Sequence, residues 1–203
     1  MIYVRLKRIC DVLFSLVGII VLSPLLLIVA FAIKLESKGP VIFQQDRLGL
    51  KGEIFKIYKF RSMCVGAEKD GVYEVKGDSR VTKIGKFIRK TSIDELPQFF
   101  NIIKGDMSII GPRPTLTYHP WSLDEYNDDQ KKRFTVRPGV TGWAQVNGRK
   151  EVPWDKRIMY DIEYVENLSM SFDIKIFSRT LYKVLFMKNN INVNKTATGE
   201  VEK

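Results

Sequence analysis

The chain reads as an α+β protein in three stretches. Residues 1–38 are expected to form a proline-broken membrane helix that re-enters the face it came from. Residues 39–188 are expected to form a mainly helical cytoplasmic domain with a small β-hairpin and amphipathic interfacial helices. Residues 189–203 are polar and expected to be a disordered tail. Three observations lead there. Residues 12–33 carry no charge, with Ser23-Pro24 near their middle. Two short aliphatic and aromatic runs flank a turn containing Gly49 and Gly52. Further along, apolar residues recur at helical spacing with basic residues between them.

The charge-free run of 22 residues would be roughly 33 Å long as a helix, enough to cross a bilayer. Pro24 removes a backbone donor and crowds the preceding turn, so it kinks or breaks the helix. Arg5, Lys7 and Arg8 precede the run, and Lys34 and Lys38 follow it. The positive-inside rule puts both ends in the cytoplasm. A helix that bends at Ser23-Pro24 and leaves by the same face satisfies both facts, with the Ser23 hydroxyl available to a freed carbonyl. An ordinary kinked spanning helix is the alternative.

Residues 41–45 and 53–63 read as the two strands of the hairpin, with 46–52 as its turn. Alternation places Lys59 and Arg61 on one face, where they could meet phosphate oxygens. Residues 65–79 read as a loop, and 80–90 as a basic amphipathic helix ending in Arg89 and Lys90. Residues 154–165 and 171–187 read as two more helices. The apolar side of the last, Ile174, Phe177, Leu181, Val184 and Leu185, suits either the core or lipid headgroups.

The net charge of +10 on 203 residues favours anionic partners: nucleic acid, anionic lipid or phosphorylated substrates. No aromatic-basic nucleic-acid motif accompanies the charge, and charge alone gives only non-specific affinity. Cys10 and Cys64 have no metal-like spacing and read as free thiols. His119 is the single histidine, which excludes a multi-histidine metal cage.

Three dense stretches remain. Residues 91–98, TSIDELPQ, hold adjacent acids, Asp94 and Glu95. Ser92 and Glu95 fit a capping box, so the pair is expected in the first turn of a helix whose N-terminus favours anions. Residues 111–114, GPRP, fence Arg113 between prolines, and a stiffly presented guanidinium suits phosphate. Residues 136–149 contain Arg137, Trp143, Gln145, Asn147 and Arg149, able to supply phosphate contacts, a flat surface for a base and hydrogen bonds.

With residues 55–63 (FKIYKFRSM) and 104–108 (KGDMS), these stretches make the chain resemble the bacterial sugar transferase family, in particular its small monotopic phosphoglycosyl transferases. The resemblance covers about residues 3–187, and the Ser23-Pro24 pair fits it. It implies a bacterial inner-membrane enzyme with its catalytic domain on the cytoplasmic face. Such an enzyme moves a sugar 1-phosphate from a UDP-sugar to a polyprenyl (undecaprenyl) phosphate. The small members point to an N-acetylated sugar, including the N,N'-diacetylbacillosamine type. Asp94 is then the covalent nucleophile, and Glu95, with Asp94, holds Mg²⁺. Arg113 is a phosphate ligand. Lys59, Arg61, Arg89, Arg137, Gln145, Asn147 and Arg149 are the remaining candidate substrate contacts. A membrane-anchored nucleic-acid-binding protein or adaptor would not require these stretches to occur together.

Overall fold

The computed structural model describes residues 2–67, 71, 78–148 and 152–186. Arg149 and the expected tail over 189–203 lie outside them. The α+β class holds: helices dominate, and two separate two-stranded sheets accompany them.

Helix α1 spans Ile2–Glu36, 35 residues without interruption. The expected break at Ser23-Pro24 is therefore corrected to a continuous helix that contains Pro24. Pro24 cannot donate to the carbonyl four residues back, Ile20 O. The Ser23 hydroxyl donates to that same oxygen at 2.8 Å. The serine supplies the missing donor, and the helix carries on.

α1 touches the rest of the chain along its whole length. Near its start, Tyr3 Oη donates to Asp173 Oδ2 at 2.6 Å and Lys7 Nζ pairs with the same oxygen at 2.8 Å. Asp11 accepts from Ser108 Oγ at 2.7 Å and from Ile109 N at 3.2 Å. At its middle, Gly18 lies under the Phe99 ring, where a Cβ would come within 2.9 Å of a ring carbon. Near its end, Val29 and Ile33 bury against Phe60 and Ile88. Its outward face is apolar, with Phe14, Val17, Ile20, Val21, Leu27, Ile28 and Phe31 exposed.

Strands β1 (Ile42–Leu48) and β2 (Ile54–Phe60) form the expected antiparallel hairpin, in register from Ile42↔Phe60 to Leu48↔Ile54. β1 continues through Asp46–Leu48, against the turn that its composition predicts. The β2 ladder carries it, and Leu48 N donates to Thr115 O at 3.0 Å. Helix α2 (Lys83–Lys90) starts at a Thr82 cap. Glu36, at the end of α1, also accepts from its first amides, Lys83 N at 2.7 Å and Ile84 N at 3.1 Å.

Helix α3 (Gln98–Lys104) leads to β3 (Ser108–Ile110), which pairs in parallel with β4 (Gly139–Thr141). The backbones touch here: a Cβ on Gly139 would lie 2.1 Å from Gly111 N, and one on Gly142 would lie 2.1 Å from Gly111 O. Close packing thus accounts for the glycines of this stretch. Short helices α4 (Asp128–Lys131) and α5 (Trp143–Val146) precede α6 (Trp154–Glu166) and α7 (Met170–Leu185). On α7, Ile176 is buried, whereas Ile174, Phe177, Leu181 and Leu185 are exposed. The apolar side that suited either environment faces outward.

Candidate active site

Asp94 and Glu95 sit in a single 3₁₀ turn, Ile93–Glu95, between α2 and α3. The expected capping box does not form. Ser92 is left-handed (φ 59°, ψ 16°) and makes no side-chain cap bond, and α3 begins only at Gln98. The turn sets Glu95 beside Lys59 of β2 and Arg113. The two acids do lie in the first turn of this short helix, as expected, but without the side-chain cap.

Glu95 is pinned. Lys59 Nζ, from β2, lies 2.8 Å from its Oε1, and Arg113 Nη2 lies 2.6 Å from the same oxygen. Arg113 Nη1 reaches Oε2 at 3.5 Å. Burial pushes the Glu95 carboxyl upward, but Arg113 and Lys59 together outweigh it and hold it well below the usual range. Glu95 in turn raises the Arg113 guanidinium, while burial lowers the Lys59 ammonium.

Asp94 is different. It is 9% exposed and has no hydrogen bond or ion pair among the described residues. Burial raises its pKa to about 6; the Glu95 charge adds to the rise, while Lys59, Arg89 and Arg113 oppose it. A carboxylate with no partner of its own keeps its lone pairs available.

Arg47 completes the surroundings. It donates to Pro114 O at 3.2 Å and to Gln45 Oε1 at 2.6 Å. Burial, and next the nearby Arg113, push it down to about 10. Among the described residues, Lys59, Arg47, Arg89 and Arg113 surround the two carboxylates, a preponderance of positive charge that suits phosphate oxygens. The donor set also fits a hard cation with few protein ligands. Among the described residues Asp94 is unbonded, and Glu95 Oε2 has only the 3.5 Å contact. No group of three or more potential ligands occurs among the described residues, so phosphate oxygens and water would complete the shell.

The structure brings Lys59, Arg89 and Arg113 to the acids and takes other candidates elsewhere. Arg61 is buried at the end of α1, donating to Ser37 O and Lys38 O, each at 2.8 Å. β2 ends at Phe60, so strand alternation no longer holds Arg61 beside Lys59. Arg137 donates to Gly105 O at 2.8 Å, closing the end of α3. Asn147 bonds Trp143 O and Arg179, and Gln145 is buried beside Val140 O. Trp143 offers no platform for a base, because Lys175 and Arg179 lie over its ring at 4.9 and 4.8 Å. Ser23 and Pro24 remain in mid-α1.

Two features escaped sequence reasoning. Arg47 lay in a stretch with turn composition. Arg133 and Asp161 form a buried pair at 2.7 Å, and Arg133 also bonds Arg113 O at 2.8 Å. Asp161 shares the buried face of α6 with Ile158 and Tyr164. An acid in an apolar register was the signal that could have found it.

The chain matches the bacterial sugar transferase family over residues 2–187. It is 45% identical over 189 residues to a UDP-glucose:undecaprenyl-phosphate glucose-1-phosphate transferase of Klebsiella pneumoniae, covering 90% of this chain and 41% of that protein. It is 46% identical over 188 residues to a UDP-N-acetylgalactosamine-undecaprenyl-phosphate N-acetylgalactosaminephosphotransferase of Aeromonas hydrophila, covering 91% and 44%. The chain therefore spans about two fifths of the length of these two relatives. An uncharacterized sugar transferase of Bacillus subtilis, EpsL, is 40% identical over 203 residues, covering 97% of this chain and 98% of that protein. With the dyad, its cations and a match along nearly the whole chain, this protein belongs to the bacterial sugar transferase family.

Proposed function

We propose that the protein transfers a sugar 1-phosphate from a UDP-sugar to undecaprenyl phosphate. The observation that carries the reading is the contrast within the dyad: Glu95 is fixed by two cations, and Asp94 beside it is buried and, among the described residues, unbonded. In the first step an Asp94 oxygen bonds the β-phosphorus, and the bond from that phosphorus to the bridging oxygen breaks. The electron pair leaves with UMP. In the second step an oxygen of the lipid phosphate bonds the same phosphorus, and the acyl phosphate breaks to return the Asp94 carboxylate. Arg113, Arg47, Lys59 and Arg89 offset the repulsion between a carboxylate and a diphosphate. Mg²⁺ held by Glu95 and Asp94 together with substrate phosphate would neutralise part of that charge when bound.

The sugar remains at the level of a UDP-hexose. One relative is named for glucose and one for N-acetylgalactosamine at almost the same identity, so similarity does not select an N-acetylated or bacillosamine-type sugar. UDP-glucose and UDP-N-acetylgalactosamine, each with undecaprenyl phosphate and Mg²⁺, are the first substrates to test. UMP release is expected from at least one member of a UDP-sugar panel. A folded protein that releases none would contradict the reading.

In the same proposal, α1 embeds in the cytoplasmic leaflet without crossing the bilayer. Both ends of α1 bond the same domain, through Tyr3, Lys7 and Asp11 at one end and Glu36 at the other. A crossing helix would carry one end to the far side of a hydrocarbon core about 30 Å thick. Ile93 packs in one cluster with Leu25, Leu26 and Val29, which ties Asp94 to the depth of α1. The exposed apolar face of α7 suits the headgroup boundary. The test uses a chain with Cys10 and Cys64 changed to Ser, carrying Ile2→Cys or Lys38→Cys. Both new thiols should label from the cytoplasmic side only; labelling from opposite sides would sink this topology.

A further inference from the structure

We propose that the buried Arg133–Asp161 pair is a positioning device that sets the reach of Arg113; the inference rests on the phosphoglycosyl transferase reading. Pro112 and Pro114 have no N–H, so the 112–114 segment can be anchored mainly through its carbonyls. Pro112 O accepts from Gly139 N at 2.9 Å, and for Arg113 O and Pro114 O two arginine side chains supply the donors. Arg133 Nη2 donates to Arg113 O at 2.8 Å, and Arg133 Nη1 to Thr115 Oγ1 at 3.3 Å. From the other side Arg47 Nη1 donates to Pro114 O at 3.2 Å, and Leu48 N to Thr115 O at 3.0 Å.

Arg133 is in turn fixed by Asp161 Oδ2, at 2.7 Å from Nη2 and 3.1 Å from Nε. Both side chains are almost wholly buried, 2% and 3% exposed. A buried ion pair is a poor source of stability compared with apolar residues of similar volume. Apolar residues there could not donate to Arg113 O. The pair therefore does something that hydrophobic packing cannot: it holds the backbone from which the Arg113 guanidinium reaches Glu95. Arg133 touches neither carboxylate of the dyad, so its effect on the reaction passes through Arg113.

The test is a double-mutant cycle on the full chain in lipid nanodiscs, reading UMP release. Arg133→Lys keeps the charge opposite Asp161 and loses the planar fork. It is expected to lower kcat about 10- to 100-fold, the scale of a small misplacement of a catalytic contact, with KM for undecaprenyl phosphate unchanged. In an Arg113→Ala background the same change is expected to cost less than about twofold, because the group being positioned is already gone. Asp161→Asn should repeat the pattern. Multiplicative losses, wild-type kinetics in both variants, or failure of both to fold would overturn the inference. If wild type releases UMP and the losses multiply, only the positioning role falls. If wild type releases none, the transferase reading falls with it.

Discussion

Asp94→Asn is expected to abolish UMP release and at the same time raise the protein's stability. Loss of the proposed nucleophile removes the first bond-forming step. The stability change follows from the pKa of Asp94, raised by burial from 3.8 to about 6. A carboxyl group whose folded pKa lies above its unfolded one stabilises the fold fully only below the unfolded pKa. That contribution is lost as pH rises through the folded pKa. At pH 8 the ionised Asp94 therefore opposes folding by roughly 3 kcal/mol relative to a neutral side chain, at 1.36 kcal/mol per pKa unit. Asparagine has nearly the same shape and no charge. Thermal midpoints of the two proteins should diverge between about pH 4 and pH 6 and stay apart above that. Equal midpoints at pH 8 would show that Asp94 is not held against its charge.

Glu95→Gln is expected to have the opposite sign. Lys59 and Arg113 share Glu95 Oε1 at 2.8 and 2.6 Å, and the Lys59 side chain is only 16% exposed. Glutamine keeps an oxygen but not the charge, leaving two cations beside one neutral acceptor. Removing one partner of a fully buried pair costs about 3–5 kcal/mol. The Arg113 side chain is 43% exposed, so solvent reduces this to about 2 kcal/mol. Denaturant midpoints at pH 7.5 provide the measurement. A Glu95→Gln protein as stable as wild type would mean that the pinned carboxylate contributes nothing to holding the turn. Neighbouring acids with opposite effects on stability are what a strained nucleophile beside its scaffold should give.

Much of this arrangement was legible in the residues. Charge-free residues 12–33, the alternation in the hairpin and the helical spacing of α2, α6 and α7 all correspond to elements of the fold. Lys59 and Arg113 meet Glu95, beside Asp94 in the chain. What escaped depends on partners distant in sequence. Ser92 followed by Glu95 has the pattern of a cap, but Lys59 and Arg113, 36 and 18 residues away, claim the glutamate. Arg61 and Arg137 look like phosphate ligands by type. The carbonyl ends of α1 and α3 take them instead, as free helix ends attract donors. Pro24 suggested a break; the Ser23 hydroxyl, legible as a partner for a freed carbonyl, bonds Ile20 O so fully that the helix continues instead. β3 and β4 are three residues each, too short for periodicity to declare. Arg47 and Arg133 have long, adaptable side chains whose targets no local pattern specifies.

The central claim is that Asp94 carries the sugar phosphate between the two substrates. Intact-mass spectrometry tests it most directly, on the full chain given a turnover-competent UDP-sugar and Mg²⁺ but no undecaprenyl phosphate. The wild-type protein should gain the mass of one phosphosugar and lose it when the lipid phosphate is added, while Asp94→Asn should stay at its own mass throughout. An adduct that persists in Asp94→Asn, or wild-type turnover in which the UDP-sugar alone never modifies the protein, would contradict the account.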